Sequence, residues 1–159
     1  PPRSRPAMRA FPAPAEIESY LPRHIPLSAD MGVRVLGAEP AEVVLGAPLE
    51  PNINHRSTVF GGSVSAVTIL AAWAWLHFSL RSAGHTSRLV IQRNTVEYLA
   101  PVVGAFEVRC EGLPPAQFER FLRTLERHGK ARAVLAAELS CGGKKAATFS
   151  GEYVAVRAT

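Results

Sequence analysis

A polar knot, Asn52-Ile53-Asn54-His55, stands just ahead of Gly61-Gly62-Ser63, and these residue types suit chemistry at a carbonyl. When such a carbon is attacked, or when its oxygen shares an enolate, negative charge builds on the oxygen. Unpaired backbone N–H groups at a helix start stabilise that charge, and glycines there let a substrate come close. A tight turn with close helix packing would use the same Gly61-Gly62 pair. The Asn54 carboxamide can donate to a carbonyl or carboxylate oxygen, or position a water; an Asx turn or a helix cap would also use it. Asn52, after Pro51, reads as a turn residue. His55 is the one histidine of five in this constellation, and a neutral imidazole could serve as base or only fix the loop. Thr58, Ser63 and Thr68 add hydroxyls along one approach, with capping and back-bonding to the helix as the plainer uses. Order and spacing give no Ser-His-Asp arrangement, so an acyl-enzyme is not indicated.

The element that must position this knot follows it. From Ser57 to Leu80 the chain runs 24 residues without a charge. A helix apolar all round has to be buried on every side, by protein or by lipid. Length alone would allow a membrane span. Gly61, Gly62, Ser63, Ser65, Thr68, His77 and Ser79 dilute it, however, and the flanking sequence is strand-like, so a helix wrapped by the protein's own sheet is expected. It should run from about Gly61 to about Ser82, with Gly84 as its stop.

Around it, Ala15–His24 offers a short helix bounded by Pro22. Gly32–Ala38 and Glu42–Ala47 read as strands. Arg88–Pro101 is a long β-branched strand, and Ala105–Glu111 alternates cleanly. Phe118, Phe121, Leu122 and Leu125 make one stripe of an amphipathic helix opened by Pro114-Pro115. Ala131–Cys141 and Ala146–Arg157 form a hairpin turned at Gly142-Gly143. One α+β domain over 15–159 is expected, a curved antiparallel sheet around a long central helix, behind a disordered or tag-like tail at 1–14. A chain of 159 residues with 47% hydrophobic and 19% charged residues fits a folded globule. Its net charge of +5 suits an anionic partner such as a coenzyme phosphate or an acidic carrier protein. The basic residues are scattered, which argues against nucleic acid. Arg81, Arg88, Lys144 and Lys145 are phosphate contacts or plain solvated surface. Cys110 and Cys141 make neither a disulfide framework nor a metal site, and buried reduced thiols fit a cytoplasmic location. No cofactor is expected.

The element order, with NINHRSTVFGGSVSAVTILAAWAW and NTVEYLAPV, resembles the hotdog-fold superfamily of thioesterases and dehydratases. More closely it resembles the family represented by the C-terminal hotdog domain of YiiD-type proteins, over about residues 15–157. The resemblance implies a homodimer, or a dimer of dimers, that pairs the long strand after the helix, with acyl-thioester sites at the subunit interface. It implies an enzyme of fatty acid metabolism, a thioesterase-like hydrolase acting on acyl-CoA or acyl-carrier protein. Asn54 matches the asparagine that related thioesterases place before Gly-Gly. Asn54, His55, Gly62 and Glu97 are then the catalytic candidates, and Thr58, Phe60, Gly61, Ser63 and Thr68 would touch substrate. Two departures matter: Phe60 stands where many such enzymes have histidine, and Ile69 where they have a helix carboxylate. Glu97 is the replacement acid on offer, unless it faces solvent or pairs with Arg93. Decarboxylation of a malonyl thioester, which needs no general base, is the alternative reaction, and a non-catalytic acyl-binding module the alternative class.

Overall fold

The computed structural model describes residues 8–158. The chain forms α1 (Pro14–His24), a short α2 (Leu27–Asp30), β1 (Arg34–Glu39), β2 (Glu42–Ala47), a 3-10 turn at Glu50–Asn52, and α3 (Gly61–Ser82). Then come β3 (Ser87–Tyr98), β4 (Phe106–Cys110), α4 (Pro115–His128), β5 (Lys130–Cys141) and β6 (Lys144–Arg157). All strands join one antiparallel sheet in the order β1-β2-β4-β5-β6-β3. The expected α+β architecture is therefore present, with α3 laid on one face of a six-stranded sheet.

Alternation explains the layering. β5 reads exposed and buried by turns, and its buried set of Ala131, Ala133, Leu135, Ala137 and Leu139 lies under the helices. Gly142 and Gly143 turn the β5–β6 hairpin with φ of 58° and 77°, positions where a side chain would be strained. α4 buries Phe121 and Leu125 and sets Phe118 edge-on to Trp75 of α3, so its stripe packs as expected. Tyr153 of β6 donates to the Ile69 carbonyl at 2.6 Å, which ties sheet to helix.

The span of α3 passes the length and hydropathy test for a membrane helix, yet 67% of that window is buried inside the protein. Burial is not complete on every side, which corrects the sequence expectation. Ser65, Ala66, Ile69, Trp73 and His77 form a half-buried stripe. β3 is the last strand of the sheet, so among the described residues no further strand flanks α3 beyond it.

Three smaller differences have local causes. α1 starts at Pro14 and runs through Pro22 instead of ending there. A proline in the last turn removes a single hydrogen bond, and buried Ile17 and Leu21 hold the rest. α2 was not foreseen. The expected tail differs as well: the Arg9 N–H donates to the Ser82 carbonyl at 2.7 Å, and Phe11 packs half-buried on the core. The expectation for residues 1–7 lies outside the described residues.

Candidate active site

The two asparagines of the knot do different work. Asn52 is 2% exposed, and its amide donates to the Met31 and Pro48 carbonyls at 2.9 and 2.8 Å. Its own carbonyl accepts the Phe60 N–H at 2.7 Å. The residue expected to be a simple turn is thus a buried hub that pins the residue before α3 to the segment ahead of β1. Its Oδ1 takes no donor among the described residues.

Asn54 organises the next four residues. Its Oδ1 accepts the N–H groups of Arg56 and Thr58 at 2.8 and 3.2 Å, and its Nδ2 donates to Thr58 Oγ1 at 2.9 Å. The backbone closes the same loop through Asn54 N–H to Thr58 O at 2.8 Å. Ser57 sits inside it at φ 59°, a left-handed conformation that this bonding over-determines. The Asx-turn use of Asn54 is therefore present, and it leaves one amide hydrogen of Nδ2 for another acceptor. His55 is exposed in the same loop.

At the helix start, Ser63 and Val64 both donate to the Phe60 carbonyl, at 2.9 and 3.2 Å. The N–H groups of Gly61 and Gly62 have no acceptor among the described residues. Two adjacent donors at the positive end of a 22-residue helix can hold an oxyanion. The Phe60 ring, 59% exposed, lies across Gly62, where an added Cβ would come within 2.3 Å of it. Phe60, Gly61, Gly62 and Ser63 therefore share the helix start, while Asn54 and Thr58 are bonded to each other in the loop that leads into it.

Two candidates do not join them. Thr68 is fully buried, and its hydroxyl bonds back to the Val64 and Ser65 carbonyls at 2.9 and 2.8 Å. The back-bonding use wins because the helix face it occupies is sealed by the core. Glu97 pairs with Thr148 of β6, whose sheet neighbours Ala147 and Phe149 are the buried ones. Alternation therefore turns Glu97 to the outer face of the sheet, away from α3. As the acid replacing the one missing from the helix, it does not reach the helix start of its own chain.

Its neighbour does. Tyr98 points to the helix side and donates from its hydroxyl to the Gly61 carbonyl at 3.0 Å. The signal lay in the same motif and needed only the parity of the strand, which a bulge after Ile91 resets. Farther along, the Trp73 indole N–H donates to the Leu89 carbonyl of β3 at 3.2 Å. These two bonds tie α3 to the edge strand at two points, and Ala66, Ile69 and Val96 are half-buried against the core. A cavity of about 880 Å³ around Leu36, Gly46 and Glu107 touches none of the candidate residues. Among the described residues no cluster of three histidine, cysteine or acidic side chains would hold a metal.

A long apolar helix on a six-stranded antiparallel sheet, with free N–H groups at its start, defines a hotdog-type protein of the thioesterase class. The chain belongs to the family described as "Putative thioesterase (yiiD_Cterm)", which matches residues 14–157. A "putative thioesterase" from Shewanella oneidensis is 31% identical, superposes with a TM-score of 0.81, and is matched over 90% of this chain and 96% of that one. A protein of unknown function from Chlorobaculum tepidum TLS is 26% identical with a TM-score of 0.87, over 92% and 98% of the two chains. A thioesterase from Haemophilus influenzae, 9% identical, shares the fold at a TM-score of 0.74 over 94% of each chain. The family implies a thioester substrate.

Proposed function

We propose that this chain processes acyl thioesters of coenzyme A or an acyl carrier protein, in fatty acid metabolism in the cytoplasm, as a thioesterase-like hydrolase. The observation that carries the reading is the pair of unengaged N–H groups on Gly61 and Gly62 at the head of a helix with no acid in its first turn. In this reading they hold the thioester oxygen, and the spare Asn54 amide hydrogen supports it or the attacking water. His55 is the base, and the acyl chain lies along the half-buried face of α3 at Ala66 and Ile69. The protein acts as a homodimer. Among the described residues β3 leaves a 12-residue edge unpaired, and the half-exposed stripe of α3 lies beside it. Pairing two such edges covers both.

The outward turn of Glu97 favours a second reaction, decarboxylation of a malonyl thioester. There the bond from the α-carbon to the carboxylate breaks and its electrons enter the thioester carbonyl as an enolate. Carbon dioxide leaves, and solvent returns a proton to the carbon. The step needs an oxyanion site and a donor for the carboxylate, but no base.

Incubation with malonyl and simple acyl thioesters of both carriers, following free thiol and carbon dioxide separately, tests both readings. Free thiol supports hydrolysis. Carbon dioxide with an intact acetyl thioester supports decarboxylation. Tight binding without either product overturns both and leaves an acyl-binding module.

A further inference from the structure

β3 carries an irregularity with consequences for any partner of its free edge. Its pairing with β6 slips by one residue between Ile91 and Arg93. Before the slip, Leu89 and Ile91 face the helix and Arg88 and Val90 face outward. After it, Asn94, Val96 and Tyr98 face the helix, while Thr95 and Glu97 face outward. These assignments follow from the β6 residues opposite, buried Ala155, Tyr153, Gly151, Phe149 and Ala147 on the helix side.

A second copy adding antiparallel to this edge must match outward residues with outward residues, since a one-residue error sends apolar side chains into solvent. A regular strand meets that condition by pairing about a residue. The slip changes the rule, so that face matching requires a two-fold axis between two residues. Of the positions that qualify, the midpoint between Gln92 and Arg93 is singled out twice. It alone overlaps the whole strand, setting Ser87 opposite the partner's Tyr98. It also sets Arg88 opposite the partner's Glu97, Val90 opposite the partner's Thr95, and Leu89 against the partner's Val96. A shift by one qualifying step either way puts Arg88 opposite the partner's Thr95, or Val90 opposite the partner's Glu97. Neither Arg88 nor Glu97 has an ion partner within its own chain among the described residues.

We infer that two copies pair through β3 about the Gln92–Arg93 midpoint, locked by two symmetric ion pairs between Arg88 and the partner's Glu97. Glu97 is then an assembly residue and not a base. The register also brings the partner's Ser87 beside Tyr98, whose hydroxyl holds Gly61, so each helix start is finished by the start of the other copy's β3. The inference rests on the proposed edge pairing and goes further by fixing its register.

The test combines charge exchange with crosslinking. In sedimentation, Arg88→Glu is expected to raise the dimer dissociation constant roughly tenfold, because it replaces two attractions by two like-charge contacts. Glu97→Arg does the same, and the double exchange restores assembly. In a Cys141→Ser background, Val90→Cys with Thr95→Cys forms an intermolecular disulfide on mild oxidation; Val90→Cys with Glu97→Cys does not. These side chains are exposed on the outer face, so the variants fold. A dimer that crosslinks through the second pair, or fails to crosslink through the first, overturns the register and leaves edge pairing intact. A dimer that the double exchange does not restore overturns the ion pairs. A monomeric wild-type chain overturns the pairing and the register together.

Discussion

Gly61→Pro separates the free N–H of the helix start from everything else that glycine does. Proline suits the first helical position, since its fixed φ matches the helix and the missing N–H has no partner to lose. The local geometry accepts it. Phe60 has φ −57° and ψ 134°, the extended conformation that proline requires of the residue before it. A Cβ on Gly61 would meet only the Tyr98 ring and hydroxyl at 3.5 Å, an ordinary contact. No hydrogen bond within the chain is given up. The unfolded chain loses freedom, so stability should rise by about 0.4–1 kcal/mol, a gain of roughly 1–4 °C in Tm at this size. Turnover should move the other way. Loss of one oxyanion donor lowers kcat by about a hundred- to a thousandfold, with little change in KM if the bond forms mainly in the transition state. Gly61→Ala keeps the N–H and places the same Cβ, so it should remain within a few-fold of wild type. Thermal unfolding and the product assay on the three proteins decide the matter. A folded Gly61→Pro protein with wild-type turnover would show that this donor does not face the reacting oxygen.

Asn54 divides by chemistry rather than by size. Asn54→Asp keeps the oxygen that receives Arg56 and Thr58, so the loop should stay folded while the spare donor is lost; turnover at wild-type level would leave Asn54 only its loop role. Asn54→Ala should lose turnover too, with the fold retained but the loop more easily cleaved by protease. His77 gives a pH signature independent of catalysis. Burial first, then the charges of Arg81 and His24, holds its imidazole down at about 4 against an ordinary 6.5. Between those values the unfolded chain binds the extra proton, so stability is full above about pH 6.5 and falls as pH drops towards 4. Discounted for the partly exposed ring, the loss from pH 7 to 5 is about 1–2 kcal/mol. Urea midpoints of wild type and His77→Phe at the two pH values should show the slope in the first and its flattening in the second.

The elements were legible because each carries its own period. The 24-residue gap in charge from Ser57 to Leu80 marked the presence of α3, clean alternation marked β4, and Gly142-Gly143 marked the turn between β5 and β6. What the sequence hid was parity and partnership. The bulge at Gln92 inverts the faces of β3 halfway along, so Glu97 and Tyr98 exchange the roles that plain spacing suggests. Asn52 and Asn54 look alike in sequence, yet one is sealed in the core and the other bridges an exposed loop. Nothing local to a carboxamide tells whether a carbonyl from a distant segment will meet it, and Met31 lies 21 residues away. The incomplete cover of α3 was hidden for the same reason, since composition reports how apolar a helix is and not which strand ends the sheet.

The lack of any acid in the first turn of α3 is better understood as part of the site than as a defect in it. A carboxylate in the first turns of α3 would spend the positive end of the helix on its own charge, since such groups interact most strongly within that turn. Here the first turn contains only glycine, serine and valine, and Glu97 of β3 faces the other side of the sheet. The potential at Gly61 and Gly62 is left for whatever anion arrives. Hydrolysis gains from this only while the oxyanion lasts, and it must still find a base among exposed groups such as His55. A substrate that enters as an anion and reacts through an enolate uses the same field at both stages. Ionic strength therefore distinguishes the two reactions. Screening of an exposed helix end should weaken capture of a malonyl thioester more than that of an acetyl thioester on the same carrier, which presents the same phosphates. Equal salt dependence for the two substrates would mean that the helix start does not recognise the acyl carboxylate.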